Sequence, residues 1–149
     1  MQIHVDADGC PVKDEIYRVA KRYQLPVRVV ANKRIGTPCD PLVQMVVVSD
    51  GFDAADDWIV EHAVADDVVV TSDIPLAARC LAKKAFVIDP KGRRFTDNDI
   101  GSALASRALS AHLRESGLIT GGPAPFKDRD RSQFLQALDS AIQAGKRRR

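Results

Sequence analysis

Residues 68–75 read Val-Val-Val-Thr-Ser-Asp-Ile-Pro, and this stretch decides how the chain is expected to fold. An apolar, β-branched run favours a buried strand, while an aspartate shortly before a proline is typical of the start of a helix. The same order begins the chain, where the apolar residues 3–5 lead into Asp6 and a helical pattern follows. Repeated steps from strand to helix predict parallel strands that are joined by helical crossovers.

Further strands and helices alternate on both sides of this stretch. The strands are predicted over residues 3–6, 27–30, 45–49, 68–72 and 85–88, and the helices between them over residues 11–24, 53–62 and 75–83. After Pro90 one helix is predicted over residues 96–116 and a last one over residues 130–143, with a Gly- and Pro-rich connector between them. We therefore predict an α/β fold with three layers, α/β/α, a mostly parallel central sheet and extra C-terminal helices.

The composition is that of a single globular domain. The chain has 149 residues, of which 45% are hydrophobic, and this is enough for a conventional core. We expect one domain over residues 1–149, with a frayed, disordered end over residues 145–149. The formal net charge is only +2, so charge by itself neither requires nor excludes a nucleic-acid partner.

Cysteine usage and hydropathy indicate the compartment. Cys10, Cys39 and Cys80 are widely spaced and include no CxxC pair, which argues against a disulfide framework and against a zinc site. No apolar run approaches the ~20 residues that span a bilayer, and the first residues lack the pattern of a signal peptide. We therefore expect a cytoplasmic protein that has no membrane partner.

Acidic residues recur where the predicted strands end. In a parallel α/β sheet the carboxyl ends of all strands lie at one edge, so acids that follow different strands converge there. Carboxylates packed together raise each other's pKa, and Mg²⁺ or Mn²⁺ removes this cost by supplying positive charge. The sequence therefore predicts a divalent-metal site at this edge. The acids placed at or just after the strand ends are Asp6, Asp8, Asp50, Asp53, Asp56 and Asp73.

Several of these acids also have a structural alternative. Asp8, which precedes Gly9, suits a turn or a helix cap, and Asp53 and Asp73 suit the N-caps of the helices that they precede. Asp57 is expected to face solvent when Asp56 faces a shared ion, because neighbours on a helix point about 100° apart. The metal interpretation therefore depends on the recurrence of acids at several strand ends.

Polar residues beside the acids are candidates for substrate binding. Thr71 and Ser72 are able to hydrogen-bond either a ligand carboxylate or a phosphate, and a role at the strand edge is the alternative. Lys13, Arg34 and Arg79 are candidates for clamping phosphate, and a purely solubilising role is the alternative.

Other ionisable residues near the strands are expected to be structural. We expect His4 to be a core histidine whose hydrogen bonds are satisfied, because it lies within the first strand. Asp66 and Asp67 are expected to be solvated or to cap a turn. Neither group therefore enters the predicted site.

The order of the acids resembles the PIN-like nuclease superfamily. The resemblance rests on Asp6 at the first strand, on ADDWI at residues 55–59 and on VVTSD at residues 69–73. It implies a PIN-like sheet, binding of Mg²⁺ or Mn²⁺, and cleavage of RNA or structured DNA. Carried over residue by residue, it makes Asp6, Asp56 and Asp73 metal ligands. A fourth acid of the superfamily pattern has no unambiguous match here, and Asp8, Asp50 and Asp53 are the alternatives for it.

Nearly the whole chain resembles the uncharacterised bacterial YaiI/YqxD family. The matching segments are DADGCPVK at residues 6–13, DAADDWI at 53–59, TSDIPLA at 71–77 and GGP at 121–123. This resemblance implies a PIN-like fold but no settled activity, so a nuclease function is inferred from the superfamily.

Our leading hypothesis is a phosphodiesterase that depends on Mg²⁺ or Mn²⁺ and acts on RNA more than on DNA. In it Asp6, Asp56 and Asp73 hold the metal, Asp8 and Asp53 support it, and a metal-activated water attacks phosphorus. The long connector over residues 117–129 is expected to shape a groove, to cover the acids or to mediate a homodimer, and the sequence leaves these alternatives open.

Two other functions are compatible with the same residues. The opening DADG at residues 6–9 resembles the DxDG signature of haloacid-dehalogenase-like phosphatases, with Asp6 as nucleophile and Asp8 as acid/base. That reading lacks a late acidic motif, and the acids of residues 53–57 precede Thr71 and Ser72, which is the wrong order for such an enzyme. The third alternative is a non-catalytic nucleic-acid-binding protein with a PIN-like shell, although aromatic residues for stacking amount to only 5%.

Overall fold

The computed structural model describes residues 1–51, 53–102 and 125–148. Residues 97–102 are helical in addition to the labelled elements, and the rest of the helix predicted to residue 116 and most of the connector lie outside the described residues. The strands are β1 (Ile3–Asp6), β2 (Val27–Ala31), β3 (Val43–Val47), β4 (Val68–Val70), β5 (Phe86–Ile88) and β6 (Arg94–Phe95), and the labelled helices are α1 (Lys13–Tyr23), α2 (Ala54–His62), α3 (Ile74–Ala82) and α4 (Asp128–Arg147).

The strands form one six-stranded sheet in the order β3-β2-β1-β4-β5-β6. The first five pair in parallel, and β6 pairs antiparallel with β5. Strand β1 has β2 on one side and β4 on the other, so the direction in which the chain winds across the sheet reverses at β1. In sheets of this kind such a reversal opens a crevice outside the carboxyl ends of the strands, where ligands commonly bind.

Successive side chains of the strands point to opposite faces of the sheet, and a layer of helices packs against each face. Ile3, Val5 and their counterparts on neighbouring strands pack against α1 and α4. Val69, Val87 and Val30 face the opposite side, where they pack against α2 and α3. Because both faces are covered, β4 is buried along its whole length, which explains its uninterrupted apolar sequence. The predicted three-layer α/β/α fold with a mostly parallel sheet is confirmed.

The boundaries of β3 and the presence of β6 differ from the predictions. Strand β3 begins at Val43, two residues before the predicted start, because it pairs with β2 from the register Val43 to Val27 onwards. Strand β6 was not predicted. It has only two residues, and it exists through its antiparallel pairing with β5.

Helix α4 is longer than predicted at both ends. It begins two residues early, where the Asp130 side chain accepts a hydrogen bond from the Lys127 backbone N–H at 2.9 Å. It continues through Arg147, over a segment expected to fray, and Arg148 then pairs with Asp66 at 2.9 Å. Gly145 is buried against the start of the chain, where a Cβ atom would lie 3.3 Å from the Asp66 carbonyl oxygen. The absent side chain therefore lets the last turns of α4 approach the sheet.

Candidate functional site

A cleft of about 400 Å³ opens at the carboxyl ends of β1 and β4, beside the start of α2. We call it the acid cleft, and the acids that line it are Asp6, Asp8, Asp53, Asp56 and Asp73. Asp50, which looked equivalent in the sequence, is exposed and lies outside this lining. The reversal of the strand order at β1 thus brings together acids from three separate segments of the chain.

Thr71 connects the two strand ends that carry Asp6 and Asp73. Its hydroxyl donates a hydrogen bond to Asp6 Oδ2 at 2.9 Å and accepts one from the Asp73 backbone N–H at 3.0 Å. Thr71 is only 1% exposed, so its hydroxyl is committed to the acids rather than open to a phosphate. Of the two hydrogen-bonding roles expected for this residue, the structure therefore supports the contact with a carboxylate.

Asp73 is the N-cap of α3. Its Oδ1 accepts a hydrogen bond from the Leu76 backbone N–H at 3.0 Å, which satisfies one of the free amides of the first helical turn. Its Oδ2 forms no hydrogen bond to the described residues and lies on a side chain that lines the acid cleft. The capping hydrogen bond therefore leaves the second carboxylate oxygen of Asp73 without a hydrogen bond to the described residues.

The acids at the start of α2 differ in their surroundings. Asp53 precedes the helix with a φ of 61°, in the left-handed region, and its side chain forms no cap hydrogen bond. Asp56 turns toward the acid cleft. Asp57 turns away, with its side chain 54% exposed, and pairs with Arg79 at 3.0 Å. The prediction that Asp57 faces solvent is confirmed, and Arg79 lies at the surface with a carboxylate partner of its own.

The acid cleft carries negative charge that no ion pair of the described residues neutralises. Burial, together with the charges of Asp73, Asp6 and Asp53, raises the pKa of Asp56 to about 6 against the opposing effect of Arg79. Burial also raises the pKa of Asp6, although the hydrogen bond from Thr71 acts in the other direction. Among the described residues, no Lys or Arg forms an ion pair with Asp6, Asp56 or Asp73.

The chemistry of the acid cleft suits a hard divalent cation. Carboxylate oxygens are the preferred ligands of Mg²⁺ and Mn²⁺, and a cation would offset the repulsion that raises the pKa of Asp56. Within residues 1–51, 53–102 and 125–148, however, no three His, Cys, Asp or Glu side chains are already arranged as a metal site. The carboxylates are thus suitable ligands for such an ion by their chemistry, but they would have to move closer together to bind it.

The remaining predicted substrate contacts differ in their relation to the acid cleft. Ser72 is exposed and lines it. Lys13 donates a hydrogen bond to the Cys10 carbonyl oxygen at 2.9 Å and so supports the turn after β1. Arg34 is exposed in the loop after β2, two residues beyond Asn32, which lines the acid cleft. Only Ser72 among these three therefore reaches the lining itself.

Asn32 and Ser49 also line the acid cleft, and the sequence analysis did not select them. Asn32 directly follows β2, and Ser49 lies two residues beyond the end of β3. Both residues lie near strand ends, as the predicted acids do. The same positional criterion therefore identifies them when it is extended to uncharged polar side chains. They supply hydrogen-bonding groups without adding negative charge.

Asp67, at the opposite end of the sheet, was expected to be solvated or to cap a turn. It is 1% exposed and therefore not solvated, and its Oδ2, which lies 3.0 Å from His4 Nε2, also caps the turn that begins at Val64. It also accepts hydrogen bonds from the backbone N–H groups of Gln2 and Val64, at 2.9 and 3.1 Å. Burial alone would raise the pKa of Asp67, but these hydrogen bonds together lower it.

His4 is buried as predicted, although its hydrogen bonds are only partly satisfied. Its Nε2 faces Asp67, while its Nδ1 is buried and has no hydrogen-bond partner in the part of the chain that the structure describes. The ring lies beside Trp58 of α2, with the two ring centroids 6.2 Å apart. We call His4 and Asp67 the buried pair, and it lies near the amino ends of β1 and β4.

Fold and cleft together define an α/β/α protein with an acidic crevice at the switch point of a mostly parallel sheet. The chain belongs to the family described as "Uncharacterized BCR, YaiI/YqxD family", whose sequence profile matches residues 4–144. The family resemblance noted in the sequence is therefore confirmed.

Close relatives cover almost the whole chain. A UPF0178 protein of Bradyrhizobium diazoefficiens is 56% identical over 148 residues, which are 99% of this chain and 89% of the relative. UPF0178 proteins of Rhodopseudomonas palustris and Nitrobacter winogradskyi are 55% and 54% identical, and the matches cover 94% and 90% of their lengths. These names state no activity. No solved structure matches the chain significantly.

The helices were also considered as possible membrane spans. In the part of the chain that the structure describes, no helix combines the length and the apolar character that crossing a bilayer requires.

Proposed function

We propose that the protein is a divalent-metal-dependent phosphodiesterase that cleaves nucleic acid in the acid cleft, with RNA preferred over DNA. The observation that carries this proposal is the convergence of Asp6, Asp56 and Asp73 on one open cleft without an ion-pair partner among the described residues. Positions at the end of β1, on α2 and after β4 are also those that the resemblance to PIN-like nucleases implied.

In this proposal Asp6, Asp56 and Asp73 hold Mg²⁺ or Mn²⁺, and Asp8 and Asp53 support them from the rim. When bound, the ion supplies positive charge to the phosphate and makes a water molecule easier to deprotonate. Without that charge the acids would repel a phosphodiester, so binding of substrate in the acid cleft depends on the cation.

The protein supplies the orientation of the acids. Thr71 holds Asp6 through its hydroxyl, and the N-cap hydrogen bond fixes Asp73 through one oxygen. Because these bonds are built on the ends of β1, β4 and α3, two of the carboxylates keep their positions before a ligand arrives. Ser72, Ser49 and Asn32 offer hydrogen bonds to the non-reacting oxygens of the substrate.

The phosphatase alternative has no observation in its favour. It needs an acid after a further strand, and the candidate by position is Asp89, which follows β5. Asp89 instead accepts hydrogen bonds from the backbone N–H groups of Lys91 and Arg93, at 3.0 and 2.8 Å, and it lies outside the lining of the acid cleft. Its carboxylate thus stabilises the turn before β6.

Cleavage assays with purified protein test the proposal. Labelled single-stranded RNA and DNA are incubated with Mn²⁺, with Mg²⁺ or with EDTA, and we expect cleavage that is faster on RNA and absent with EDTA. Asp6→Asn and Asp73→Asn should each lower the rate at least about 100-fold, because each removes charge that holds the ion. Asp57→Asn is the matched control, since this acid lies on the same helix as Asp56 but faces solvent.

Two results would overturn the proposal. One is the absence of cleavage with either metal. The other is cleavage that continues at the wild-type rate when Asp6→Asn and Asp73→Asn are combined. RNA binding that persists in EDTA, together with no cleavage in any condition, would support the non-catalytic alternative.

A further inference from the structure

A second groove lies at the end of the sheet opposite the acid cleft. Its volume is about 510 Å³, and we call it the basic groove because Lys84, Arg94 and Arg148 line it. Phe86 also lines it and is the first residue of β5, where it pairs with Val68, the first residue of β4. The basic groove is therefore at the amino ends of the parallel strands, whereas the acid cleft is at their carboxyl ends.

Three separate elements supply the three cations. Lys84 lies in the turn between α3 and β5 at a φ of 66°, and its backbone is fixed by hydrogen bonds to Leu81 and Asp66 at 2.9 and 3.1 Å. Arg94 lies on β6, opposite Ile88 of β5. Arg148 follows α4. All three side chains are exposed, so the fold presents them together to solvent.

Phe86 contacts two of these cations. The guanidinium carbons of Arg94 and Arg148 each lie 4.8 Å from the centroid of its ring. A cation over an aromatic ring is attracted by the electrons of the ring, but two cations at one ring also repel each other. An anion bound in the basic groove would offset that repulsion.

The positive charge of the basic groove is only partly compensated. Asp66 pairs with Arg148 at 2.9 Å, and Asp97 is the one acid among the described residues of the lining. Neither Lys84 nor Arg94 forms an ion pair with an acid of the described residues. These two side chains are therefore available to an anionic ligand.

We propose that the basic groove binds the phosphodiester backbone of a nucleic acid. The planar guanidinium group matches the oxygens of a phosphate. The two aromatic rings of the lining, Phe86 and Phe95, are only 4% and 3% exposed, so they cannot stack on bases. Contact is thus confined to the backbone and is independent of base sequence. The choice of nucleic acid as ligand rests on the proposed function.

Binding measured in EDTA tests this proposal without any cleavage. A fluorescein-labelled uridine 20-mer is titrated with protein between 50 and 300 mM KCl, and anisotropy gives the Kd at each concentration. Lys84→Gln combined with Arg94→Gln should raise the Kd about tenfold at 100 mM KCl. The slope of log Kd against log salt should become less steep by about 1.4, which corresponds to two lost phosphate contacts on a single strand.

A single variant and a matched control keep this test independent of folding. Lys84→Gln alone leaves the contacts of the arginines with Phe86 intact and should change the slope by about 0.7. Arg18→Gln combined with Arg22→Gln removes the same number of exposed charges from α1 and should leave the slope unchanged.

The proposal is overturned if the Lys84→Gln and Arg94→Gln double variant binds with the wild-type Kd and slope, or if the α1 control loses as much affinity. Poly-L-glutamate that binds as tightly, with the same dependence on Lys84 and Arg94, would also overturn the assignment to phosphodiesters. If binding depends on Lys84 and Arg94 but the protein cleaves nothing, only the proposed function is contradicted. If cleavage depends on the acids of the cleft but the double variant keeps the wild-type salt slope, only the proposal for the basic groove is contradicted.

Discussion

Asp56 is partly buried and Asp67 almost completely buried, and their surroundings shift their pKa values in opposite directions. At the acid cleft, burial and the charges of three neighbouring acids together raise the pKa of Asp56 to about 6. At the buried pair, hydrogen bonds from His4 and two backbone amides outweigh burial and lower the pKa of Asp67. The protein therefore completes the hydrogen bonding of one carboxylate and leaves the other in need of positive charge.

This difference separates an acid that stabilises the fold from one that is available to a ligand. Hydrogen-bonded groups at Asp67 offset the cost of burying a carboxylate, so its contribution is to stability. The repulsion around Asp56 costs stability in the absence of a cation, and the binding of a cation would recover it. The following predictions test this separation, beginning with the largest expected effect.

Removing the carboxylate of the buried pair should be the most damaging change. Asp67→Ala leaves His4 and two backbone amides without their acceptor, and we expect a loss of about 3 kcal/mol in the free energy of unfolding, measured by urea denaturation. Because the folded pKa of Asp67 is lowered, its contribution is present above about pH 4 and is lost as pH falls through the folded value.

Asp57→Ala provides the comparison for this loss, since it removes an exposed carboxylate that pairs with Arg79. We expect it to cost less than about 1 kcal/mol. Equal losses for the two variants would show that burial does not separate the acids in this way. If Asp67→Ala does not fold, Asp67→Asn should give a smaller loss in the same direction.

Divalent cations should stabilise the acid cleft and leave the buried pair unaffected. With Mn²⁺ at 100 times its Kd, the wild-type protein should gain about 2.7 kcal/mol, which raises Tm by roughly 5–10 °C. Thermal unfolding followed by circular dichroism measures this gain, and EDTA should reverse it. The gain should disappear in Asp6→Asn with Asp56→Asn and persist in Asp57→Asn. An equal gain in all variants would contradict a role for the cleft acids.

The repulsion at Asp56 should appear as a pH dependence in metal-free protein. A folded pKa of about 6, above the ordinary 3.8, means that the folded state holds the extra proton between these values. The contribution of Asp56 to stability therefore falls as pH rises through this window.

Asp56→Asn should consequently raise the free energy of unfolding at pH 7.5 by about 1 kcal/mol, a value reduced because the side chain is partly exposed to water. At pH 4.5 the gain should be smaller. Urea denaturation at both pH values, in EDTA, measures the difference. A variant that is equally destabilised at both values would refute the assigned repulsion.

The smallest effect is expected at Thr71, which organises the acids without contributing charge. Thr71→Val removes the donor to Asp6 and the acceptor of the Asp73 amide, and should cost about 1 kcal/mol in unfolding free energy. It should also weaken Mn²⁺ binding a few-fold, as measured by calorimetry. Thr71→Ser keeps the hydroxyl and should restore Mn²⁺ affinity. Weakened binding in both variants would point to packing rather than to the hydroxyl.

The sequence predicted which strands and helices are present better than it predicted the residues at which they begin and end. The apolar runs that became β4 and β5 are buried on both faces, so their composition alone marks them as central strands. By contrast, β6 has an exposed Arg94 and a buried Phe95, a pattern too short to identify a strand. It exists because β5 offers a free edge for pairing, which is a property of the sheet rather than of residues 94–95.

For the acids too, the features that depend on local sequence were predicted and those that depend on distant residues were not. That Asp6 and Asp73 would converge followed from their positions after parallel strands, and the acid cleft bears this out. That Asp67 caps a turn agrees with its sequence neighbourhood, but its burial depends on His4, which lies 63 residues earlier in the chain. The burial of Asp67 could therefore not be read from the local sequence.

The sequence by itself determined the alternation of strands and helices and the placing of acids at strand ends. These features depend on local hydrophobicity and on the side-chain periods of strands and helices, which short segments carry. Only the tertiary structure decided that Asp56 faces the acid cleft while Asp57 meets Arg79, that Thr71 joins Asp6 to Asp73, and that Phe86 gathers Arg94 and Arg148. Each of these arrangements depends on groups from distant segments, and solvation and charge are set by the groups that surround a side chain after folding.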